Sequence, residues 1–236
     1  MPGQISVEVL PNRSVTARLY PAATHGRAGV TLILGPGAGA GQTSAFIVEF
    51  ATGLAARGID AVTFNFLYGE QGRRIPDPND RLEACYRAVI AAVRPQMMSS
   101  ADRLVIGGKS MGGRIASQVA AAGVGDLAGL VFLGYPLHPP GRPDRLRAAH
   151  LPDIKVPMLF VQGERDAFGT PEELRPIMSR LEPSPDLYVV ADGDHSFKVP
   201  KRAGVTQGVT QKDIHNAVQD HVAAWLRKTA LVRTAR

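Results

Sequence analysis

The 236-residue sequence holds one cysteine, Cys85, so no disulfide can form within the chain. That excludes the small disulfide-stapled secreted scaffolds and fits a reducing compartment. No apolar run approaches the ~18 residues that a membrane-spanning helix needs. The first residues, MPGQISVEVL, lack a cationic segment leading into an apolar one, so no secretory leader is expected and a cytoplasmic location is. Aromatic residues make up only 6% of the chain, and none are interleaved with a basic stripe. The formal charge of +6 is scattered, densest in the tail RKTALVRTAR, and no zinc or RNA-binding signature accompanies it. A nucleic-acid partner is therefore not expected. There is no internal repeat and no low-complexity linker. A single domain over residues 1–236 is expected, with 229–236 as a frayed basic tail.

Glycine, by contrast, is abundant, and apolar runs alternate with amphipathic segments. Residues 5–10 and 14–20 are short, β-prone and separated by PNRS, which predicts an antiparallel hairpin. Strands are expected at GVTLIL (29–34), DAVTFNF (60–66), RLVIGG (103–108), LAGLVFLG (127–134), VPMLFVQG (156–163) and DLYVVAD (186–192). Between them lie helices: one over 43–56, one opening at Asp77-Pro78 with Leu82, Cys85, Val89 and Val93 on a stripe, and one ending near Gly123. Thr170-Pro171-Glu172-Glu173 reads as a capping box with proline at the first helical position. The last helix is expected to bury Ile214, Ala217, Val218, Val222 and Trp225. The fold class is thus α/β, a mostly parallel sheet with helices on both faces. Segments 67–77, 135–153 and 197–211 are rich in Pro, Gly or charge and are expected to be mobile.

The loop GPGAGAG (35–41) has three candidate uses. A phosphate loop needs G-x-x-x-x-G-K-[ST]; here Gln42 stands in place of lysine and Pro36 in place of the first glycine. Gly108-Lys109-Ser110 fails the same test, because Arg103 occupies the first glycine position. Gly35, Gly37 and Ala40 satisfy G-x-G-x-x-A, but the dinucleotide fold wants an acid at the far end of the next strand, and Asp60 begins its strand. The third use, holding backbone N–H groups towards a reacting carbonyl, depends on a nucleophile elsewhere.

That nucleophile is supplied by VIGGKSMGGR. Gly108-Lys109-Ser110-Met111-Gly112 is a G-x-S-x-G between a strand and a helix, the pattern that lifts a serine hydroxyl above a sheet edge. A serine needs a base, and the base needs an orienting acid, in the chain order Ser, acid, His on this kind of fold. Of the six histidines, His195 lies in the loop beyond the last strand, where the base belongs. His25, His138, His150, His215 and His221 lie in or beside other elements. Asp166 follows the preceding strand and is the expected acid, with Glu164 its near rival. The oxyanion donors are expected to be the N–H groups of Met111 and Ala38. Lys109 reads as a surface residue beside the elbow.

These residues resemble the α/β-hydrolase superfamily from about Gly29 to the final helix, and more narrowly the compact, lidless proteins related to dienelactone hydrolases. GGKSMGGR, FNFLYGEQGRRIPD and LGYPLHPPGRPDRLR are similar to a subgroup that includes a hydrolase-like regulatory subunit of the NSL acetyltransferase complex. Dienelactone hydrolases proper carry Cys at the elbow, where this chain has Ser110. Many relatives have His-Gly in the oxyanion loop, where this chain has Pro36-Gly37. The resemblance implies a serine hydrolase acting on a small acyl substrate without metal or cofactor; a scaffold protein with a vestigial site, or acyl transfer or peptide cleavage by the same residues, are the competing expectations. Substrate contacts are expected from Tyr68, Arg73, Arg74, Tyr135, His138, Phe168 and Phe197.

Overall fold

A computed structural model describes residues 2–97, 103–200 and 208–232. Eight strands form one sheet: β1 (Gly3–Leu10), β2 (Arg13–Tyr20), β3 (Val30–Gly35), β4 (Asp60–Phe64), β5 (Arg103–Lys109), β6 (Gly129–Leu133), β7 (Met158–Gly163) and β8 (Asp186–Val190). Their order is β1-β2-β4-β3-β5-β6-β7-β8. The N-terminal hairpin joins β4 antiparallel, and every pairing from β4 to β8 is parallel.

The parallel strands are apolar throughout because both faces are covered. Val30, Leu32 and Leu34 of β3, with Val105 of β5 and Val131 of β6, pack under α1 (Ala45–Ala56) and the C-terminal helix. Ile33, Ile106 and Phe132 point to the other face, under the helices that follow β4 and β5. Successive side chains of a strand alternate between faces, so one apolar run serves both layers. After β4 come a single turn, α2 (Leu67–Glu70), and then α3 (Asn79–Val93); α4 (Met111–Ala121) follows β5 and α5 (Pro171–Met178) follows β7. The last helix, α6, runs Gln211–Val232.

Several expectations shift in detail. Pro78 has ψ 153°, outside the helical region, so α3 begins at Asn79 with Pro78 as its flanking residue. Asp77 is therefore not the cap; its carboxylate instead accepts from Arg73 Nη2 at 2.6 Å. The stripe Leu82, Cys85, Val89 and Val93 is buried as expected. So is the capping box: Glu173 N–H donates to Thr170 Oγ1 and Thr170 N–H to Glu173 Oε2. On α6 the buried face is Val218, Val222, Ala223, Trp225 and Leu226, with Gln219 against it, while Ala217 faces solvent. Ala217 lies about 140° round the helix from Val222, off the buried stripe. Helix α6 continues through Val232, inside the segment expected to fray; residues 233–236 lie outside the described residues, as do 201–207 of the segment 197–211.

The connection from β6 to β7 (134–157) carries one short 3-10 turn, Leu151–Asp153, and no large cap. It is anchored rather than loose: Tyr135, Leu137 and Leu151 are buried within it. Segment 67–77 likewise holds α2, whose Glu70 accepts from Thr16 Oγ1 at 2.6 Å and Asn65 Nδ2 at 2.7 Å. Among the described residues no helix is long and apolar enough to cross a membrane.

Candidate active site

The chain leaves β3 towards β4 on one side and later returns as β5 on the other, so the carboxyl ends of β3 and β5 flank a crevice. Ligand sites of open α/β sheets form at such switch points. Here the crevice opens into a cavity of about 660 Å³ with Gly37, Ala38, Ser110, Met111, Phe168 and His195 in its wall.

Ser110 sits between β5 and α4 at φ 52°, ψ −118°. A non-glycine residue at positive φ is strained by roughly 1–3 kcal/mol and persists only when its surroundings impose it. The imposition comes from glycine. A Cβ on Gly112 would stand 2.1 Å from Gly35 O, and one on Gly108 2.2 Å from the same oxygen. Only bare backbone lets α4 begin so close to β3.

Three residues far apart in sequence meet here. His195 Nε2 lies 2.8 Å from Ser110 Oγ, and His195 Nδ1 lies 2.7 Å from Asp166 Oδ2. The Asp166 side chain is fully buried, and Phe168 N–H and Gln162 Nε2 each donate to it at 2.8 Å. Glu164, the rival acid, turns away to accept from Asp192 N–H at 2.7 Å. The loop holding His195 is fixed by Asp194, whose Oδ1 accepts from Ser196 and Lys198 N–H, and the Phe168 ring lies 4.2 Å from the imidazole.

Lys109 is not a surface residue. It ends the central strand β5, is covered on both sides, and donates through Nζ to His195 O at 2.5 Å, with the Phe46 ring 5.7 Å away. Burial pushes its ammonium down to about 8, opposed by the attraction of Asp166 and Asp194.

Met111 is the first residue of α4, where an N–H has no partner within the helix. Ala38 is in the cavity wall, on a loop braced by Ala40 N–H to Gly37 O and by Gly39 N–H to Tyr68 Oη.

Of the seven expected substrate contacts, only Phe168 lines the cavity. Tyr68 is buried and braces the glycine loop, and Tyr135 is buried with its hydroxyl donating to Arg147 O at 2.7 Å. Phe197 packs in the core against Phe46 and Phe50. His138 is buried; its Nδ1 is 2.8 Å from Pro139 O, and its Nε2 is 3.3 Å from Glu173 Oε1, near enough to attract but misaligned for a hydrogen bond. Arg73 is held by Asp77, and Arg74 is exposed on the rim-side loop without lining the cavity. Tyr68, Tyr135, His138 and Phe197, expected to touch substrate, instead fold inward and anchor their loops.

The sequence reading missed Gln162, Arg114, Arg147, Phe46 and Ile47. Gln162 had a signal: it is the one polar residue in the apolar run MLFVQG, and it ties Tyr135 N–H, Gly169 O and Asp166 together. Arg114 follows Ser110 by one helical turn and Arg147 comes from the β6–β7 connection, a pairing that spacing does not announce. Asp60, the would-be ribose ligand, is bound to Ala22 N–H and Arg27 at the opposite end of the sheet. Cys85 is buried, its thiol pushed up to about 12 by desolvation, which disfavours the thiolate that reacts as a nucleophile. Among the described residues no group of three or more His, Cys, Asp or Glu is placed to hold a metal ion.

Solved structures share this architecture. An α/β serine hydrolase without a lid from Xanthomonas campestris is 23% identical over 95% of both chains, with a TM-score of 0.72. Dienelactone hydrolase from Anabaena variabilis is 20% identical over 95% of this chain and 96% of that one, TM-score 0.72. An esterase from Pyrococcus furiosus is 14% identical over 96% and 92%, again at 0.72. At these identities the likeness is one of fold. The sequence profile described as an alpha/beta hydrolase domain matches residues 28–226, and the chain belongs to that family.

Proposed function

We propose that this protein is a serine hydrolase that cleaves a small carboxylic ester through an acyl-Ser110 intermediate. The observation that carries the reading is the hydrogen-bonded chain Ser110–His195–Asp166 in the cavity wall. A serine hydroxyl is a weak nucleophile until a neighbouring base accepts its proton. As Ser110 Oγ bonds to the ester carbonyl carbon, its proton passes to His195 Nε2, and the resulting imidazolium is stabilised by buried Asp166. Charge moves onto the carbonyl oxygen, where the N–H groups of Met111 and Ala38 donate to it. The carbon–oxygen bond to the alcohol then breaks, and the alcohol leaves with the proton from His195. Water repeats the sequence in reverse: His195 takes its proton, its oxygen attacks the acyl carbon, and the acid departs as Ser110 regains its hydrogen. Ester and water become acid and alcohol.

The dienelactone hydrolase and esterase neighbours support ester cleavage as the chemistry of this scaffold. Turnover of 4-nitrophenyl acetate and butyrate by wild type and Ser110→Ala tests the proposal. Wild type turns over both, and the variant falls by about 10⁴-fold or more in kcat. A folded Ser110→Ala protein matching wild type would contradict it.

A further inference from the structure

The cavity beside Ser110 is unevenly charged. Arg114 and Arg147 both line it, together with Lys109. Asp77 is the only carboxylate among its described lining residues, and Arg73 Nη2 already holds that group at 2.6 Å. Arg114 Nη1 donates to Asn79 Oδ1 at 3.0 Å and to Gln118 Oε1 at 3.2 Å, both neutral acceptors. The guanidinium of Arg147 has no hydrogen-bond or ion-pair partner among the described residues. The two cations feel each other: burial comes first in lowering the Arg114 value, and the charge of Arg147 comes next.

Such an arrangement is unfavourable when nothing lies between the charges. Arg147 is nevertheless fixed in place. Its N–H donates to Leu137 O at 2.7 Å, and its carbonyl accepts from the buried Tyr135 hydroxyl, also at 2.7 Å. Tyr135 is in turn clamped by Gln162, which also holds Asp166. The same buried glutamine therefore ties the arginine's backbone to the acid of the Ser–His–Asp chain. Phe46, Ile47, Leu82, Met111 and Phe168 give the wall its apolar part, and Ser44, Asn79 and Ser196 add neutral polar groups. Glu83 attracts Arg114 but makes no direct contact with it, so among the described residues neither guanidinium is paired with a carboxylate. A cleft with a nucleophile at one place and two such cations at another matches a short carbon chain ending in a carboxylate, a planar anion whose geometry the guanidinium fork fits.

Resting on the hydrolase reading above, the geometry points to a half-ester of a short dicarboxylic acid as the substrate class, its scissile carbonyl at Ser110 and its free carboxylate between Arg114 and Arg147. The substrate supplies the charge that the cavity lacks. Raising ionic strength weakens its capture more than that of a neutral ester.

The test compares kcat/KM for 4-nitrophenyl hydrogen glutarate with that for the neutral, similarly shaped 4-nitrophenyl 5-methylhexanoate, in wild type, Arg147→Met and Arg147→Lys. In parallel, Ser110→Ala and Ser110→Ala/Arg147→Met are titrated with monomethyl glutarate by calorimetry. Wild type is expected to favour the half-ester by roughly 10- to 100-fold, the worth of charge-assisted hydrogen bonds. Arg147→Met brings the ratio towards one, Arg147→Lys keeps part of it, and only the Arg147-containing protein binds monomethyl glutarate. Equal Ser110-dependent turnover of the two esters by wild type overturns the substrate class and leaves the hydrolase reading intact. Binding of monomethyl glutarate that requires Arg147, without turnover of either ester, keeps the anion site and overturns hydrolysis instead. A Ser110→Ala protein that does not bind the compound overturns the anion site whatever the kinetics.

Discussion

Ser110, Asp166 and His195 are each ordinary residue types, and what distinguishes them is what holds them. Ser110 is forced to positive φ, Asp166 is sealed from water with three donors on its oxygens, and His195 is pinned through its own carbonyl by Lys109. The positions of these three were legible in the sequence because chain order and strand ends locate them. Gln162, Arg114, Arg147 and the burial of Lys109 were less so, since they depend on which side chains from separate strands and loops come within reach. Lys109 gives a prediction at this scale. Its folded-state value of about 8 lies below that of an exposed lysine, so between these values the unfolded chain binds more protons than the folded one. Stability must then rise with pH across that window, and the cost of the buried charge is fully present below about pH 8. Urea unfolding of wild type and Lys109→Met from pH 7 to 10 should show wild type gaining up to about 3 kcal/mol relative to the variant. Parallel curves would mean that the ammonium is not desolvated as described.

At the scale of elements, the decisive contact is helix against strand. The start of α4 approaches the end of β3 with only hydrogens between them, at Gly112 and Gly35, and this closeness aims Ser110 into the crevice. Gly112→Ala is expected to cost at least about 3 kcal/mol or prevent folding, because a methyl group 2.1 Å from a backbone oxygen cannot be absorbed by a side-chain rotation. Gly69→Ala is the control: a Cβ there meets nothing within 4 Å, and the change should stay within about 1 kcal/mol. Chemical denaturation of the two variants decides the matter, and an unperturbed Gly112→Ala would refute the packing argument. Most elements were readable from apolar runs and caps. The start of α3 was misplaced by one residue because a proline can flank a helix as readily as open it, and Ala217 was misassigned because alanine is small enough to sit on either face of α6.

For the whole molecule, alternation of strand and helix announced a parallel sheet, but the order β1-β2-β4-β3-β5-β6-β7-β8 depends on long-range pairing that no local pattern encodes. That order places the elbow after β5 next to the loop after β3, and brings the loops after β7 and β8 alongside it. The site is thus a property of the assembled sheet: residues 110, 166 and 195 lie on three separate connections and meet only when β5, β7 and β8 are in register. A reagent that needs an activated serine should consequently report on the complete fold.

The most direct test of the central claim is peptide mapping by mass spectrometry after treatment with a fluorophosphonate, on native protein, on protein unfolded in urea, and on folded His195→Ala. The account predicts one adduct, on Ser110, in the native wild type and almost none in the other two samples. A native, well-folded protein whose Ser110 stays unmodified, or is modified equally without His195, would contradict it.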